Sequence, residues 1–259
     1  MTSNVWELGD YQKIARHLVF ACELLAEDLE PCVGQKGLDI GTGNGNLALS
    51  FGRRGCQMIG IDPAKKLLEE GKKRAKAEKV AILFENQRAE QLPYEDESFD
   101  FVVSSFALEF SLDCNLAIKE MMRVLKPGGK MGILDWCYSG YIINFNAIVQ
   151  KFLKLPLTVP DHYALGDKKE VKMLFQPYIR QFSFLQRSVS FRFVNAQQLI
   201  DHYRSYFGPT ILLFNSFNFK KQKKLEAVLV ETLKEFNESK DLNCFLLRQN
   251  YLQTIGIKK

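Results

Sequence analysis

The sequence predicts an α/β fold built on a parallel sheet, and three features carry that prediction. Short apolar stretches alternate with longer stretches of helical periodicity. The first of them, Gly37 to Ile40, runs into Gly41-Thr42-Gly43-Asn44-Gly45 and then into a helix start at Asn46. The second, Gln57 to Ile61, ends at Asp62, about twenty residues beyond the first glycine of that turn.

A strand that ends in a glycine turn and opens a helix leaves backbone N–H groups and the helix N-terminus facing a crevice. Glycine is needed there because a Cβ blocks close approach and disfavours positive φ. The turn therefore suits a nucleotide-like or carboxylate-bearing ligand. In nucleotide-binding βαβ units an acid at the end of the next strand accepts hydrogen bonds from ribose hydroxyls. Asp62 has a second reading as a helix cap, since Pro63 follows it and Lys65 to Lys79 is strongly helical. The strand-end position favours the ribose, and the two roles are compatible.

Taken in order, residues 5–29 read as a helical lead-in, with Ile14, Leu18, Ala21, Cys22, Leu25 and Leu29 at helical spacing. Asp10 is placed to cap it, and Pro31 and Gly34 end it. Trp6 and Tyr11 stand just ahead of it, where an aromatic closes over a ligand or anchors a core. Val80 to Phe84 is a third strand, and Phe99 to Ser104 a fourth, apolar enough to be buried on both faces. A helix over Leu116 to Leu125 stops at Lys126-Pro127-Gly128-Gly129, and Lys130 to Asp135 is the fifth strand. This alternation implies right-handed crossovers.

Residues 136–165 change character. Trp136, Tyr138, Tyr141, Phe145, Phe152 and Tyr163 mix with Gly, Asn and Pro, which predicts an irregular aromatic cover. There follow a helix near 167–179, a long strand or hairpin over Gln181 to Phe193, and a helix over Ala196 to Phe207 capped by Asn195. Gly208-Pro209 punctuates, Lys220 to Phe236 is a further helix, and Tyr251 to Ile257 supplies a last strand. No repeat or low-complexity linker interrupts the chain, so it reads as one domain over 1–259. Its parts are a helical lid over 1–34, a ligand-binding core over 35–135, a cover over 136–180, and strands and helices over 181–259.

With 259 residues, 46% of them hydrophobic and 25% charged, the chain is long enough for a sizeable core and ordinary for a soluble protein. No run of about eighteen apolar residues predicts a membrane span. The N-terminus lacks a basic patch followed by an apolar core, so the expected location is cytoplasmic. Cys22, Cys32, Cys56, Cys114, Cys137 and Cys244 are scattered without a C-x-x-C pair, which argues against a zinc site and a disulfide framework, and no metal is expected. Residues 140–259 hold 18 Lys and Arg against 9 Asp and Glu. Such an asymmetry can mark an anionic partner. No aromatic-interleaved basic groove accompanies Lys220, Lys221, Lys223 and Lys224, so a solvated helix face is preferred.

Four motifs together give a resemblance. They are the Leu38-to-Gly45 turn, Gly60-Ile61-Asp62, the Ala89-to-Pro93 segment with Ser98-Phe99-Asp100, and Arg123-Val124-Leu125-Lys126-Pro127-Gly128-Gly129. In order and spacing they resemble class I S-adenosylmethionine-dependent methyltransferases, in particular the bacterial branch akin to the ubiquinone/menaquinone-biosynthesis C-methyltransferases. The flanks, Trp6 to Tyr11, Tyr206 to Thr210 and Tyr251-Leu252, look like one bacterial group of such enzymes. The resemblance implies a Rossmann-like, seven-stranded, mostly parallel sheet with one antiparallel strand near the C-terminus. Helices would cover both faces, with the N-terminal helix and the segment between the fifth and sixth strands as lid.

The resemblance also implies S-adenosylmethionine as cofactor, with S-adenosylhomocysteine as product. Gly41, Thr42, Gly43 and Gly45 would then border its amino-acid part. Asp39 would orient the turn and reach the amino group. Asp62 and Pro63 would meet the ribose, Leu67 the adenine face, and the backbone of Ala89 an adenine nitrogen. Ser104 or Ser105, with Phe106, would contact the methionine part. Where the family usually has Asp before the alanine, this chain has Arg88. A guanidinium has no acceptor, so the adenine amino group must turn to Glu90 or a carbonyl.

Methyl transfer from an activated cofactor asks mainly for alignment and exclusion of water, and no strong acid–base constellation is visible. Glu109 and His162 are the candidate proton acceptors, each with a structural role as the alternative. Tyr11, ahead of the lead-in helix, is a candidate for the substrate wall, as are Phe110, Trp136 and Tyr138, which with Phe106 follow strand ends at the C-terminal edge where open α/β sheets place ligands. Their character points to an apolar or aromatic small-molecule acceptor, in a monomer or homodimer. Three rivals remain open. A nicotinamide oxidoreductase fits the G-x-G-x-G spacing poorly. A nucleic-acid methyltransferase is disfavoured because Ser104-Ser105-Phe106-Ala107 stands where an Asn/Asp-Pro-Pro-aromatic tetrad is usual. A cofactor-binding protein without catalysis draws its support from Arg88.

Overall fold

A computed structural model describes residues 3–157, 161–241 and 243–259, with side chains from Val5 onward except at 161 and 162. Its strands form one sheet in the order β3-β2-β1-β4-β5-β7-β6. These are β1 (Lys36–Ile40), β2 (Gln57–Ile61), β3 (Ile82–Glu85), β4 (Phe99–Ser105), β5 (Leu125–Trp136), β6 (Ile179–Phe193) and β7 (Phe245–Lys258). β7 runs antiparallel to both its neighbours, and the pairs among β1 to β5 are parallel. The strand order reverses between β1 and β4, so their C-terminal ends diverge into the crevice where such sheets hold ligands.

Helices cover both faces. On one side lie α2 (Val19–Leu29), α3 (Asn46–Arg53), α6 (Tyr141–Leu153), α8 (Ala196–Tyr206) and α10 (Phe219–Glu235), which pack with Phe101, Val103, Val189 and Phe191 of the sheet. On the other, α5 (Cys114–Val124) and α7 (Lys168–Phe175) meet Leu38, Ile40 and Val102. Phe101 and Val103 thus face opposite to Val102, as the two-residue period of a strand requires. At the sheet's edge α4 (Lys65–Glu78) sets Leu68 and Ala75 against Phe84 of β3. The strand pairs β1–β4 and β4–β5 keep Leu38, Val102 and Met131 wholly buried, which explains why this stretch of sequence reads as continuous apolar runs.

Three sequence expectations need correction. The lead-in is not one helix: a 3-10 turn (Ser3–Glu7) and a short α1 (Gln12–Ala15) precede α2. The Asp10 carboxylate accepts from the Gln12 N–H at 3.2 Å, so the cap acts on α1. Residues 136–165 are not irregular throughout, because α6 runs through them, with an Asp161–Gly166 3-10 turn beyond. Aromatic side chains on α6 obscured its helical period. Gly208-Pro209 opens a helix, α9 (Gly208–Asn215), with the proline in the first turn where its missing N–H costs nothing. The open choice between strand and hairpin at 181–193 resolves to one long strand, paired with β7 along its length.

Candidate functional site

The turn after β1 has Gly41, Gly43 and Gly45 at φ of 69°, 54° and 82°, the left-handed region glycine tolerates. A Cβ on Gly41 would stand 2.3 Å from the Ala107 Cβ, which fixes glycine there for a second reason. A Cβ on Gly43 would instead project into the cleft, 3.9 Å from both Leu67 and Tyr11. The turn is clamped from three sides. Asp62 Oδ2 accepts the Gly43 N–H at 3.0 Å, and its Oδ1 accepts the Ala64 N–H at 2.8 Å. Asp39 Oδ2 accepts from the Thr42 hydroxyl at 2.7 Å and the Ala48 N–H at 3.0 Å. Arg74 of α4 donates to the Asn44 carbonyl and the Asn46 side chain at 2.8 and 2.7 Å.

These acids are buried, and burial raises their proton affinity against the hydrogen bonds they accept. The Asp39 carboxyl is pushed up to about 7 and that of Asp62 to about 6. Asp39 Oδ1 is buried with no partner among the described residues. An orphaned acceptor beneath a glycine turn is what an incoming ammonium or bridging water would satisfy.

The cleft above the turn is bordered by Gly41, Gly43, Asp62, Pro63 and Leu67 on one side. The segment Gln87 to Glu90, Ser105, Phe106 and the turn after β4 close the other, and Trp6, Tyr11 and Phe110 complete the wall. The N-terminal segment is held over the cleft by Lys66, whose Nζ donates to the Gly9 and Glu7 carbonyls at 2.7 and 3.1 Å. Asp39, Thr42, Gly45 and Ser104 stand off the cleft, among the cofactor-binding residues singled out in the sequence. The Ser104 hydroxyl donates to the Ile40 carbonyl at 2.8 Å, tying β4 to β1.

Arg88 pairs with Glu90, Nε to Oε2 at 3.2 Å, and Glu90 Oε1 also accepts the Leu112 N–H at 2.6 Å. Both residues border the cleft, as does Gln87, which sequence reasoning passed over. The Gln87 amide offers the neutral acceptor that Arg88 lacks. Its position two residues before Ala89 was the available signal.

Behind the cleft lies a second cavity of about 640 Å³ between the sheet and α6, α8, α9 and α10. Trp6, Tyr11, Phe106 and Phe110 border both spaces. Among the described residues the cavity wall contains no Asp, Glu, Lys, Arg or His. Phe106 holds φ of 51°, an unfavourable conformation for a bulky side chain, and stacks on Trp136 with ring centroids 4.3 Å apart. Trp136 lines this cavity; Tyr138 lines neither space and packs on Tyr163 at 5.0 Å.

Glu109, in the 3-10 turn after β4 (Leu108–Phe110), is 5% exposed and borders neither space. Its partner is Asp135 at the end of β5, 1% exposed, which sequence reasoning did not pair with it. Burial pushes both carboxyls up, and the neighbouring Asp135 raises Glu109 further, while both Glu109 oxygens and Asp135 Oδ2 are buried without a partner among the described residues. Asp135 Oδ1 also accepts the Trp136 N–H at 3.2 Å. Residues 26 apart in sequence meet only because β4 and β5 are neighbours, so no local pattern announces the pair. His162 lies outside the residues whose side chains are described. His17 and His202 pack edge to face at 5.6 Å, away from the cleft. Among the described residues no cluster of His, Cys, Asp and Glu could hold a metal ion, and no helix is long and apolar enough to cross a membrane.

Comparison with known proteins agrees with this geometry. Residues 38–133 match a family model described as a methyltransferase domain. The chain is 26% identical over 212 residues to an uncharacterized protein of Mycobacterium tuberculosis, covering 80% of this chain and 77% of that one. It is 36% identical over 142 residues to a demethylmenaquinone methyltransferase of Bacillus cereus, covering 49% of this chain and 58% of the relative. Among solved structures, the YcgJ protein of Bacillus subtilis superposes with a TM-score of 0.64 at 20% identity, covering 93% of this chain and 98% of that one.

Proposed function

We propose that this chain is a class I S-adenosylmethionine-dependent methyltransferase and that it methylates a small, uncharged apolar or aromatic molecule. The observation that carries the reading is the shared wall of Trp6, Tyr11, Phe106 and Phe110 between the glycine-turn cleft and the uncharged cavity. When bound, S-adenosylmethionine supplies a methyl group already activated on a sulfonium.

The residues of the cleft suit that cofactor. Asp62 and Pro63 would hold the ribose, Leu67 and Ala89 the adenine, and Gly41, Gly43 and Ser105 the amino-acid part. The free Oδ1 of Asp39 lies beneath the turn to receive an ammonium, directly or through water. Gln87 and Glu90 would accept from the adenine amino group. Arg88, drawn to Glu90, then leaves the adenine position to these acceptors.

The aromatic wall supplies orientation and keeps water out, which is most of what an in-line transfer asks of a protein. The Glu109–Asp135 pair would share one proton between two buried carboxyls, and Cys114, Cys137, Tyr11 and Tyr163 are titratable groups that feel its charge. We assign the pair to holding the Trp136 end of β5 in place, through the Trp136 N–H, and not to contact with the acceptor.

The test is label transfer from tritiated S-adenosylmethionine to a panel of acceptors. Uncharged phenols, hydroquinones and aliphatic alcohols form one arm, and phosphorylated and amino compounds the other. Label entering only the uncharged arm is expected. Label entering only the charged arm contradicts the reading.

A further inference from the structure

The uncharged cavity reaches the surface at one corner of the fold. Leu153, at the end of α6, and Leu212, on α9, line it and are also 38% and 56% exposed. Ser216, just past α9, lines the same end and is exposed. Phe152 and Phe217 close the corner from behind, with ring centroids 6.2 Å apart.

Two further apolar side chains extend this rim without entering the cavity. Leu155 is 54% exposed and Phe219, at the start of α10, is 73% exposed. Large apolar groups gathered at a cavity mouth mark a contact surface, whereas isolated ones do not. The segments that carry them are rich in cations. Residues 141–157 and 205–225 contain Lys151, Lys154, Lys220, Lys221, Lys223 and Lys224, and no Asp, Glu or Arg. Lys221 Nζ lies 4.0 Å over the Phe217 ring, and Lys223 Nζ 6.0 Å over that of Phe219, so the cations flank the apolar rim. Of the six, Lys223 also meets an acid, Glu226 at 3.5 Å, which is already bound by Arg204 at 2.9 Å.

An apolar rim flanked by lysines fits the boundary of an anionic lipid bilayer, where apolar groups enter the acyl region and cations meet the headgroups. A cavity with no charged group among the described residues, opening at that rim, fits a hydrocarbon chain arriving from the bilayer. We propose that the corner formed by the end of α6, α9 and the start of α10 docks on an anionic bilayer. Through it the cavity receives the hydrocarbon part of a membrane-dissolved acceptor. The acceptor half of this statement rests on the methyltransferase reading above; the docking half does not.

The docking test is co-sedimentation of the full chain with vesicles of phosphatidylcholine alone, or of phosphatidylcholine and phosphatidylglycerol in equal parts. Binding to the mixed vesicles, weakened by salt, is expected. Neutralising two rim cations in Lys221→Gln/Lys223→Gln should lower partition about twenty-five-fold, at about fivefold per lysine. Leu155→Ser/Phe219→Ser should lower it roughly tenfold or more. Both variants should keep the wild-type thermal midpoint, since the altered side chains are at the surface. Equal binding to both vesicles, or unchanged partition in both variants, overturns docking.

The cavity is tested separately with the uncharged fluorophore N-phenyl-1-naphthylamine. Enhanced emission that dodecanol displaces, and that Leu229→Trp abolishes by filling the cavity, is expected. No enhancement overturns the hydrocarbon site. Neither measurement uses the cofactor, so a failure of the methyltransferase reading is distinguished from a failure of this one.

Discussion

The Asp62 carboxylate accepts the backbone N–H of Gly43 at 3.0 Å while its other oxygen accepts that of Ala64 at 2.8 Å. One acid therefore fixes the glycine turn and starts the following segment, and it does so with the two oxygens that a ribose would also approach. Removing it strands two backbone donors. Asp62→Ala should cost about 1–3 kcal/mol without any ligand, a fall of about 3–10 °C in thermal midpoint for a chain of this size. An unchanged midpoint would show that the clamp contributes nothing to the fold.

Gly41 is constrained twice, by φ of 69° and by the Ala107 Cβ 2.3 Å from where its own would stand. Gly41→Ala is expected to destabilise by about 1–3 kcal/mol or more and to displace the turn after β4. Denaturant unfolding reads this as a lower midpoint at unchanged slope. Gly34→Ala serves as the comparison: its φ is 86°, yet nothing lies within 4 Å, so backbone strain acts there without a clash. Equal losses at the two positions would remove the steric argument.

The Glu109–Asp135 pair makes a pH prediction. A carboxyl whose folded-state proton affinity is raised gives stability that is full below its unfolded pKa, about 4, and is lost as pH rises through the higher folded value. Asp39, at about 7, and Asp62, at about 6, act with the same sign. His17 acts against them. Burial holds its pKa down to about 4, so its contribution is present above about 6.5 and lost as pH falls. Glu109→Gln isolates the pair, because the amide keeps a donor toward Asp135 at every pH. The variant should match wild type near pH 5 and exceed it near pH 8 in thermal midpoint. Parallel curves would show that the pair shares no proton.

Gln87 and the Arg88–Glu90 pair border the cleft where the proposed reading puts the adenine, and they offer acceptors there. S-adenosylhomocysteine should therefore bind about five- to tenfold more tightly than its inosine counterpart, which offers a carbonyl in place of the amino group. Gln87→Ala should reduce that preference. Arg88→Ala should change stability by less than about 1 kcal/mol, since its ion pair is 40% exposed on the arginine side. Isothermal titration with both ligands measures the ratio, and a ratio near one in wild type would mean that neither acceptor is used.

Much of the fold was legible because parallel strands buried on both faces leave apolar runs that no exposed element imitates, as in Phe99 to Ser104. The glycine turn and Asp62 were legible because both roles follow from one strand–turn–helix unit within about twenty residues. What escaped reading was long-range or masked by composition. Helix α6 carries aromatic side chains toward an internal cavity as well as the core, which blurred its period. Asp135 meets Glu109 across neighbouring strands, and Ser104 turns its hydroxyl to Ile40 while Ser105 faces the cleft. Which of two adjacent serines faces a ligand depends on strand register, and composition does not encode it.

The central claim is that the cleft over the glycine turn holds S-adenosylmethionine. Thermal unfolding with S-adenosylhomocysteine, S-adenosylmethionine and NADH in parallel, on wild type and Asp62→Ala, tests it most directly. Ligand at about a hundred times its dissociation constant adds about 2.7 kcal/mol, or about 5–10 °C here. A shift of that size with the two sulfur ligands, absent with NADH and lost in Asp62→Ala, is the expected result. No shift with either sulfur ligand, or a shift with NADH alone, would contradict the account.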